Sequence, residues 1–415
     1  MQAFIVLKFI ILFVVTFAEC TISPGDRIKK NRKELKVLTG PQSDNVFDRN
    51  LIEEEPSSKD ILVHNAAYYK DVSTRNFNNT VLGYVTPWNS HGYDIAKVFG
   101  KKFDIISPVW FQIIKKGDLY ELAGKHDIDS SWVRDVRRKK KSGNSSIKCK
   151  VSIIKNSADK FTFYFQTVFP RLLFDKFTER DISLLLSLEK ERRIVNELIA
   201  NTCKEHDFDG IVLELWSQLA GRVDDQFIYK IVLDMAKYLK TKNLNLILVI
   251  PPFREKLPNL FQEKHLDQLY QDVYAFSLMT YDYSSVQRPG ANSPLPWIRA
   301  AIEKIAPNSC RDVNYKRHKI LLGLNMYGND FTPDGGGPIV GNQYLNLLKY
   351  LKKRLSYDEN AVENFFEVRT PSGRHYVFYP TLHSINERIK LAQELGVGIS
   401  IWELGQGLDY FYDLL

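Results

Sequence analysis

The sequence predicts one α/β domain, a closed (β/α)8 TIM barrel with a small insertion before the last strand. Two observations lead there. From Val81 onward, apolar runs bounded by turn residues recur: VLGYVTP, FDIISPVWFQI, VFPRLLFD, FDGIVLELW, LNLILVIPP, VYAFSLMTYD, ILLGLNMYG and VGISIWELG. Runs that are apolar on both faces suit buried parallel strands. Helical patterns alternate with them at Ile128 to Lys139, Arg192 to Glu205, Asp225 to Lys240, Trp297 to Ile305, Gln343 to Leu355 and Ser384 to Leu395. Strand and helix alternating over roughly 300 residues give one barrel rather than two domains. An open doubly wound sheet is the runner-up, but no glycine-rich nucleotide loop follows any run.

The chain opens on MQAFIVLKFIILFVVTFAEC, an apolar stretch broken by Lys8 and closed by small residues near Ala18 to Cys20. A spanning helix needs about 20 unbroken apolar residues, so residues 1–20 read as a cleaved secretory signal. The expected product is secreted or lysosomal, with no membrane span in the mature form. Residues 21–78 are polar, acidic at Glu53 to Glu55, and without sustained periodicity. They read as a mostly extended lead-in packing along the barrel of residues 79–415.

Cys20, Cys149, Cys203 and Cys310 are too few and too scattered for a disulfide scaffold, and no pairing is assigned. Nothing has the spacing of a zinc site, so neither a metal nor a cofactor is expected. Asn78-Asn79-Thr80 and Asn144-Ser145-Ser146 are acceptors for N-glycans where exposed. The net charge of +8 is spread along the chain apart from Arg137 to Lys141, RRKKK. That run is a solvated helix end or a patch for anionic glycans. A nucleic-acid role is not supported, because no aromatic-interleaved basic motif accompanies it.

FDGIVLELW organises the chemistry. On a strand, residues two apart share a face, so Gly210, Val212, Glu214 and Trp216 point one way and Ile211, Leu213 and Leu215 the other. The aliphatic face packs on helices. The other presents an acid and an aromatic to the C-terminal end of the barrel, where such barrels build their sites.

GYVTPWN, FDGIVLELW, SLMTYDYS, LLGLNMYG and VGISIWELGQGLDYF, in that order and spacing, resemble glycoside hydrolase family 18, the chitinase-like barrels. FPRLLFD, SGRH, YPTL and IWELGQGLDYFYDLL are similar to one branch of it. The resemblance implies substrate-assisted retention, in which a Glu ending the fourth strand protonates the glycosidic oxygen and the sugar's N-acetyl group attacks the anomeric carbon. This departs from the two-carboxylate scheme. The family's DxxDxDxE pattern falls on Asp209, Val212, Glu214 and Trp216, so Trp216 stands where the family has its proton donor. Indole donates no useful proton to a leaving alkoxide, and general acid catalysis is worth about 100 to 10,000-fold.

Sugar contacts look better kept. The resemblance places Trp402 under the central sugar and Tyr281 with Asp282 against its N-acetyl group. Tyr84, Trp88, Trp110 and Tyr327 are further stacking candidates at strand ends, each with core packing as the rival reading. Trp216 is either a ligand platform or a plug filling the vacated pocket. Glu214 is either a satisfied buried acid or a displaced donor, roughly 6 to 7 Å deeper than Trp216, with Asp209 the other remnant of the motif. The expected function is an oligosaccharide-binding lectin for N-acetylglucosamine-containing glycans with impaired catalysis. The alternatives are a weak glycoside hydrolase using Glu214 and a protein-interaction scaffold. Lipopolysaccharide and a scavenger-type receptor are partners that the branch implies.

One segment does not fit. Val151-Ser152 can be encoded as GTA AGT, a splice-donor consensus, and Tyr164-Phe165-Gln166 as a pyrimidine-rich run ending in CAG. Residues 151–166 therefore read as a retained short intron, with a genuine surface loop as the alternative.

Overall fold

The computed structural model describes residues 36–137, 166–255 and 257–415. The apolar leader, Cys20, Cys149, the Asn144 acceptor, most of the basic run, and residues 151–165 of the intron candidate lie outside them.

Eight parallel strands alternate with helices and close into a barrel. The first is Val81–Val85; the second runs through Ile105–Pro108 and Phe111–Lys116; the third through Thr167–Val168 and Arg171–Phe174. The remainder are Gly210–Glu214, Asn245–Ile250, Ala275–Leu278, Ile320–Asn325 and Gly398–Trp402. Closure follows from the pairings. Strand one pairs with the first half of strand two, that half with the first half of strand three, and the two second halves pair with each other. Strand three continues to strand four, and strand eight returns to strand one through Ile399 opposite Val81. Leu119–Ala123 adds an antiparallel hairpin to strand two.

The interruptions matter for the site. Strand three breaks at Phe169-Pro170, where proline lacks an N–H for the ladder. Strand two breaks at Val109-Trp110, and the alternation slips there: Val109 packs with the lumen residues, while Trp110 and Phe111 both join the layer between sheet and helices. The lumen is filled by Leu82, Ile105, Phe169, Val212, Ile247 and Leu321, so the barrel is a packed core open to chemistry only at its mouth.

Each expected helix is present with adjusted ends, among them Glu189–Glu205, Asp225–Thr241, Leu295–Ile305 and Leu382–Leu395. Asp224 and Thr381 cap two of these by accepting backbone N–H groups, and Gly396 at φ +69° ends the last. The helix expected over Gln343 to Leu355 stops at Leu348, and Ser356–Asp358 continues as a strand. That strand belongs to the insertion before strand eight, a five-stranded antiparallel sheet that also contains Gly328–Thr332, Gly335–Ile339, Glu363–Thr370 and Gly373–Phe378.

The lead-in carries more structure than its composition suggested. Ser57 caps a helix at Ser58–His64, and Thr39–Gln42 pairs in parallel with Ala66–Tyr69. Asp413 ties this segment to the end of the chain by accepting the Tyr69 N–H at 2.8 Å and pairing with Arg49 at 3.4 Å. Long-range partners supplied the order that local periodicity lacks.

Candidate functional site at the barrel mouth

Strand four keeps its inward face only as far as Glu214. Leu215 adopts helical dihedrals, φ −119° and ψ −37°, and Trp216 begins a short helical turn. The indole therefore leaves the lumen face. It is wholly buried in the outer layer, where its Nε1 donates to the Leu260 carbonyl at 2.8 Å and its ring meets Phe261 edge-on at 5.0 Å. His265 lies 4.9 Å away. This corrects both readings of Trp216: it is neither a sugar platform nor a plug in the mouth, because a strand ending one residue early turns its side chain outward.

With Trp216 gone from that face, Glu214 is the last inward residue of strand four rather than a group beneath an indole. Its Oε2 accepts the Nε–H of Arg171 at 2.5 Å and a second bond from the same guanidinium's Nη2. Arg171 sits on strand three opposite Val212, so it shares the lumen face. Its guanidinium lies 6.0 Å from the Trp402 ring centroid.

Trp402 closes strand eight, paired with Asn325 of strand seven, and is half-buried against the lumen residues. The chain must turn sharply after it. Glu403 takes a left-handed φ of +57°, and its buried carboxylate accepts the Asn89 side-chain amide at 2.7 Å and the Gly405 N–H at 2.9 Å. Burial raises the Glu403 pKa, against the pull of those two donors. The Tyr84 ring stands 5.3 Å from Trp402, and its hydroxyl donates to Ser277 Oγ at 2.9 Å, which donates in turn to Ser400 Oγ at 3.1 Å. Burial pushes the Tyr84 phenol well above its ordinary value.

Tyr281 and Asp282 follow strand six. Gly323 on the neighbouring strand makes room for them, since a Cβ there would fall 2.4 Å from the Leu278 carbonyl and 3.0 Å from the Tyr281 ring. Tyr281 meets Tyr327 edge-on at 6.4 Å, and the Tyr327 hydroxyl donates to Asp282 Oδ1. Asp282 is itself left-handed at φ +59°. Burial raises both phenol pKa values, with Glu214 and Asp282 adding to the effect at Tyr281 and Asp282 at Tyr327.

Three expected residues stand apart. Trp110 is buried in the outer layer, where its Nε1 donates to the Tyr93 hydroxyl at 2.7 Å; the break in strand two rotated it out of the mouth. Asp209 lies at the opposite end of strand four, about 16 Å from Glu214 at 3.3 Å per residue. There it accepts the Val168 N–H at 2.9 Å and pairs with Arg137, an anchor of the barrel floor. Trp88 is 70% exposed and lines a separate groove of about 550 Å³ with Asn89, His91, Glu403 and Asp409. Sequence reasoning passed over Arg171. The signal was present in FPRLLFD, because a cation two residues beyond Phe169 falls on the lumen face and needs an anionic partner there.

The mouth thus joins an indole face, three phenols and a carboxylate held by a guanidinium. A flat apolar surface bordered by hydrogen-bonding groups suits a pyranose ring. Residues 80–407 match the family model for glycosyl hydrolases family 18. The chain belongs to that family. Solved chitinases and a spore cortex-lytic enzyme share its fold. A chitinase from Chromobacterium violaceum superposes with a TM-score of 0.63 at 16% identity, over 81% of this chain and 98% of its own. The spore cortex-lytic enzyme SleL of Bacillus cereus gives 0.61 at 16%, over 81% and 73%. A Cycas revoluta chitinase in complex with (GlcNAc)4 gives 0.60 at 12%, over 80% and 97%. Among the described residues no helix is long and apolar enough to cross a membrane, and no cluster of His, Cys, Asp and Glu could hold a metal ion.

Proposed function

We propose that this family 18 chain is a lectin for N-acetylglucosamine-containing oligosaccharides, secreted or lysosomal, with hydrolysis lost or weak. It falls in this reading within the chitinase domain-containing protein 1, or stabilin-interacting chitinase-like, branch. One observation carries the proposal: Trp402 offers its ring at the mouth while Glu214, the one motif carboxylate there, is engaged as an acceptor by Arg171. A carboxylate receiving two guanidinium bonds is placed to orient hydroxyls, whereas the family's step needs a free carboxylic O–H aimed at the leaving oxygen. A double mutant of the Cycas revoluta chitinase is in complex with (GlcNAc)4, which makes that tetramer the ligand to test. Calorimetric titration of the purified protein with it, combined with product analysis over a day, should give binding heat and no cleavage.

A second reading rests on Glu214 ending strand four with no indole above it. There, a displaced acid performs slow hydrolysis. Products that appear with the wild type and vanish in Glu214→Gln would establish it. Neither heat nor product would move the reading to a protein-interaction scaffold.

A further inference from the structure

Asp282 holds a left-handed backbone that non-glycine residues adopt at a cost, so something must fix it. Its N–H donates to Asn292 Oδ1 at 2.6 Å. The Asn292 carbonyl in turn accepts the Tyr283 N–H at 2.8 Å, so one residue clasps both sides of the Tyr281–Asp282 turn. Asn292 is held from outside the barrel. Glu363, the first residue of its strand in the insertion sheet, accepts the Asn292 N–H at 2.9 Å and the Ser293 N–H at 2.6 Å. Ser293 Oγ closes the loop on the Thr280 carbonyl at 2.5 Å.

The carboxylate doing this is buried and needs compensation. Arg388 of the last helix supplies it, donating to Glu363 Oε1 at 3.1 Å, to the Ser293 carbonyl at 2.5 Å and to the Val362 carbonyl at 2.9 Å. Barrel, insertion and final helix therefore meet at one ion pair. Neither Glu363 nor Asn292 was singled out from the sequence; the Asn292 side chain reaches Asp282 and Tyr327, while Glu363 is buried behind it.

We infer that Glu363 is a positioning residue: through Asn292 it sets the backbone and carboxylate of Asp282, and so couples the insertion sheet to recognition of the sugar's N-acetyl group. The inference rests on the sugar-binding reading above, but its structural half stands alone. A residue that merely stabilised the fold would affect all ligands alike. A positioning residue for Asp282 affects the sugar that carries an N-acetyl group and spares one that only stacks on Trp402.

The test compares wild type with Glu363→Gln, which places an amide N–H₂ against one of the two backbone donors, and with Asn292→Ala, which removes the Asp282 acceptor while leaving the Glu363 contacts to the backbone. Two quantities are read in the full protein: hydrogen exchange of the Asp282 amide, and affinities for N-acetylglucosamine tetramer and cellotetraose. Expected are faster exchange in both variants and a loss of about tenfold in affinity for the tetramer, the weight of one hydrogen bond to a charged group, with cellotetraose affinity unchanged. Unchanged exchange overturns the inference. So does faster exchange with equal loss for both sugars, or with no loss for the tetramer. If wild type binds neither sugar, the lectin proposal and the N-acetyl half of this inference fail together, and the exchange arm decides whether Glu363 positions Asp282.

Discussion

Trp402 and Trp216 are written alike in the sequence, each an indole at the end of a buried apolar run, yet they lie on opposite sides of the same barrel. Trp402 is the last residue of strand eight and looks into the mouth. Trp216 lies two residues past the end of strand four and is sealed between sheet and helices. The difference is one backbone rotation at Leu215. In a barrel, the residue at which a strand stops decides whether the next aromatic serves ligand or core, and composition is silent on it.

Substitution separates the two roles, with the largest effect on the buried member. Trp216→Ala should remove about 3–5 kcal/mol of stability, measured by denaturant unfolding, while the folded fraction keeps its affinity for N-acetylglucosamine tetramer. Loss of binding with stability intact would reverse the assignment. Trp402→Ala should do the converse, weakening the tetramer by more than about 2 kcal/mol, roughly thirtyfold, with a smaller cost to unfolding. A Trp402→Ala protein that bound as wild type would end the stacking proposal.

The barrel was legible because each strand keeps an apolar face over a full run, and the motifs fall at strand ends. Glu214 was read from strand alternation, Tyr84 and Tyr327 from their place at strand ends, and Tyr281, Asp282 and Trp402 from the family resemblance. Trp110 and Trp216 were misplaced because alternation lapses at the break after Pro108 and at Leu215, where local dihedrals override period two. Arg171 was readable but passed over. Asn292 and Glu363 were not readable, since a carboxylate 71 residues from the N–H it accepts leaves no local pattern. The order in the lead-in was hidden for the same reason.

Arg171 sharpens the comparison from the ligand side. Arg171→Gln should cost about 1–3 kcal/mol of stability by leaving a part-buried carboxylate without its partner, and should weaken tetramer binding by a similar or smaller amount. The lectin proposal rests on Arg171 engaging Glu214, so slow release of chitooligosaccharide products in Arg171→Gln and none from wild type is the expected outcome. No product from either would mean that the missing donor at position 216, rather than the guanidinium, accounts for the lost hydrolysis.

The smallest effect concerns the third tryptophan, Trp88, whose groove is polar and titratable. His91 Nε2 lies 3.2 Å from Asp409 Oδ1 at the edge of that groove. The hydrogen bond to Asp409 raises the His91 pKa above its ordinary 6.5, with Asp94 and Glu403 adding to it and burial opposing it. Because the folded value is the higher one, the contact stabilises fully below about pH 6.5 and is lost as pH rises through the folded pKa. Both side chains are part-exposed, so screening keeps the gain small. Asp409→Asn should return the His91 titration, followed by NMR, toward 6.5 and remove any pH dependence of Trp88 fluorescence. A His91 pKa unmoved by that change would transfer the shift to Asp94 and Glu403. The groove's response to pH would then depend on the turn that follows Trp402 rather than on the His91–Asp409 pair.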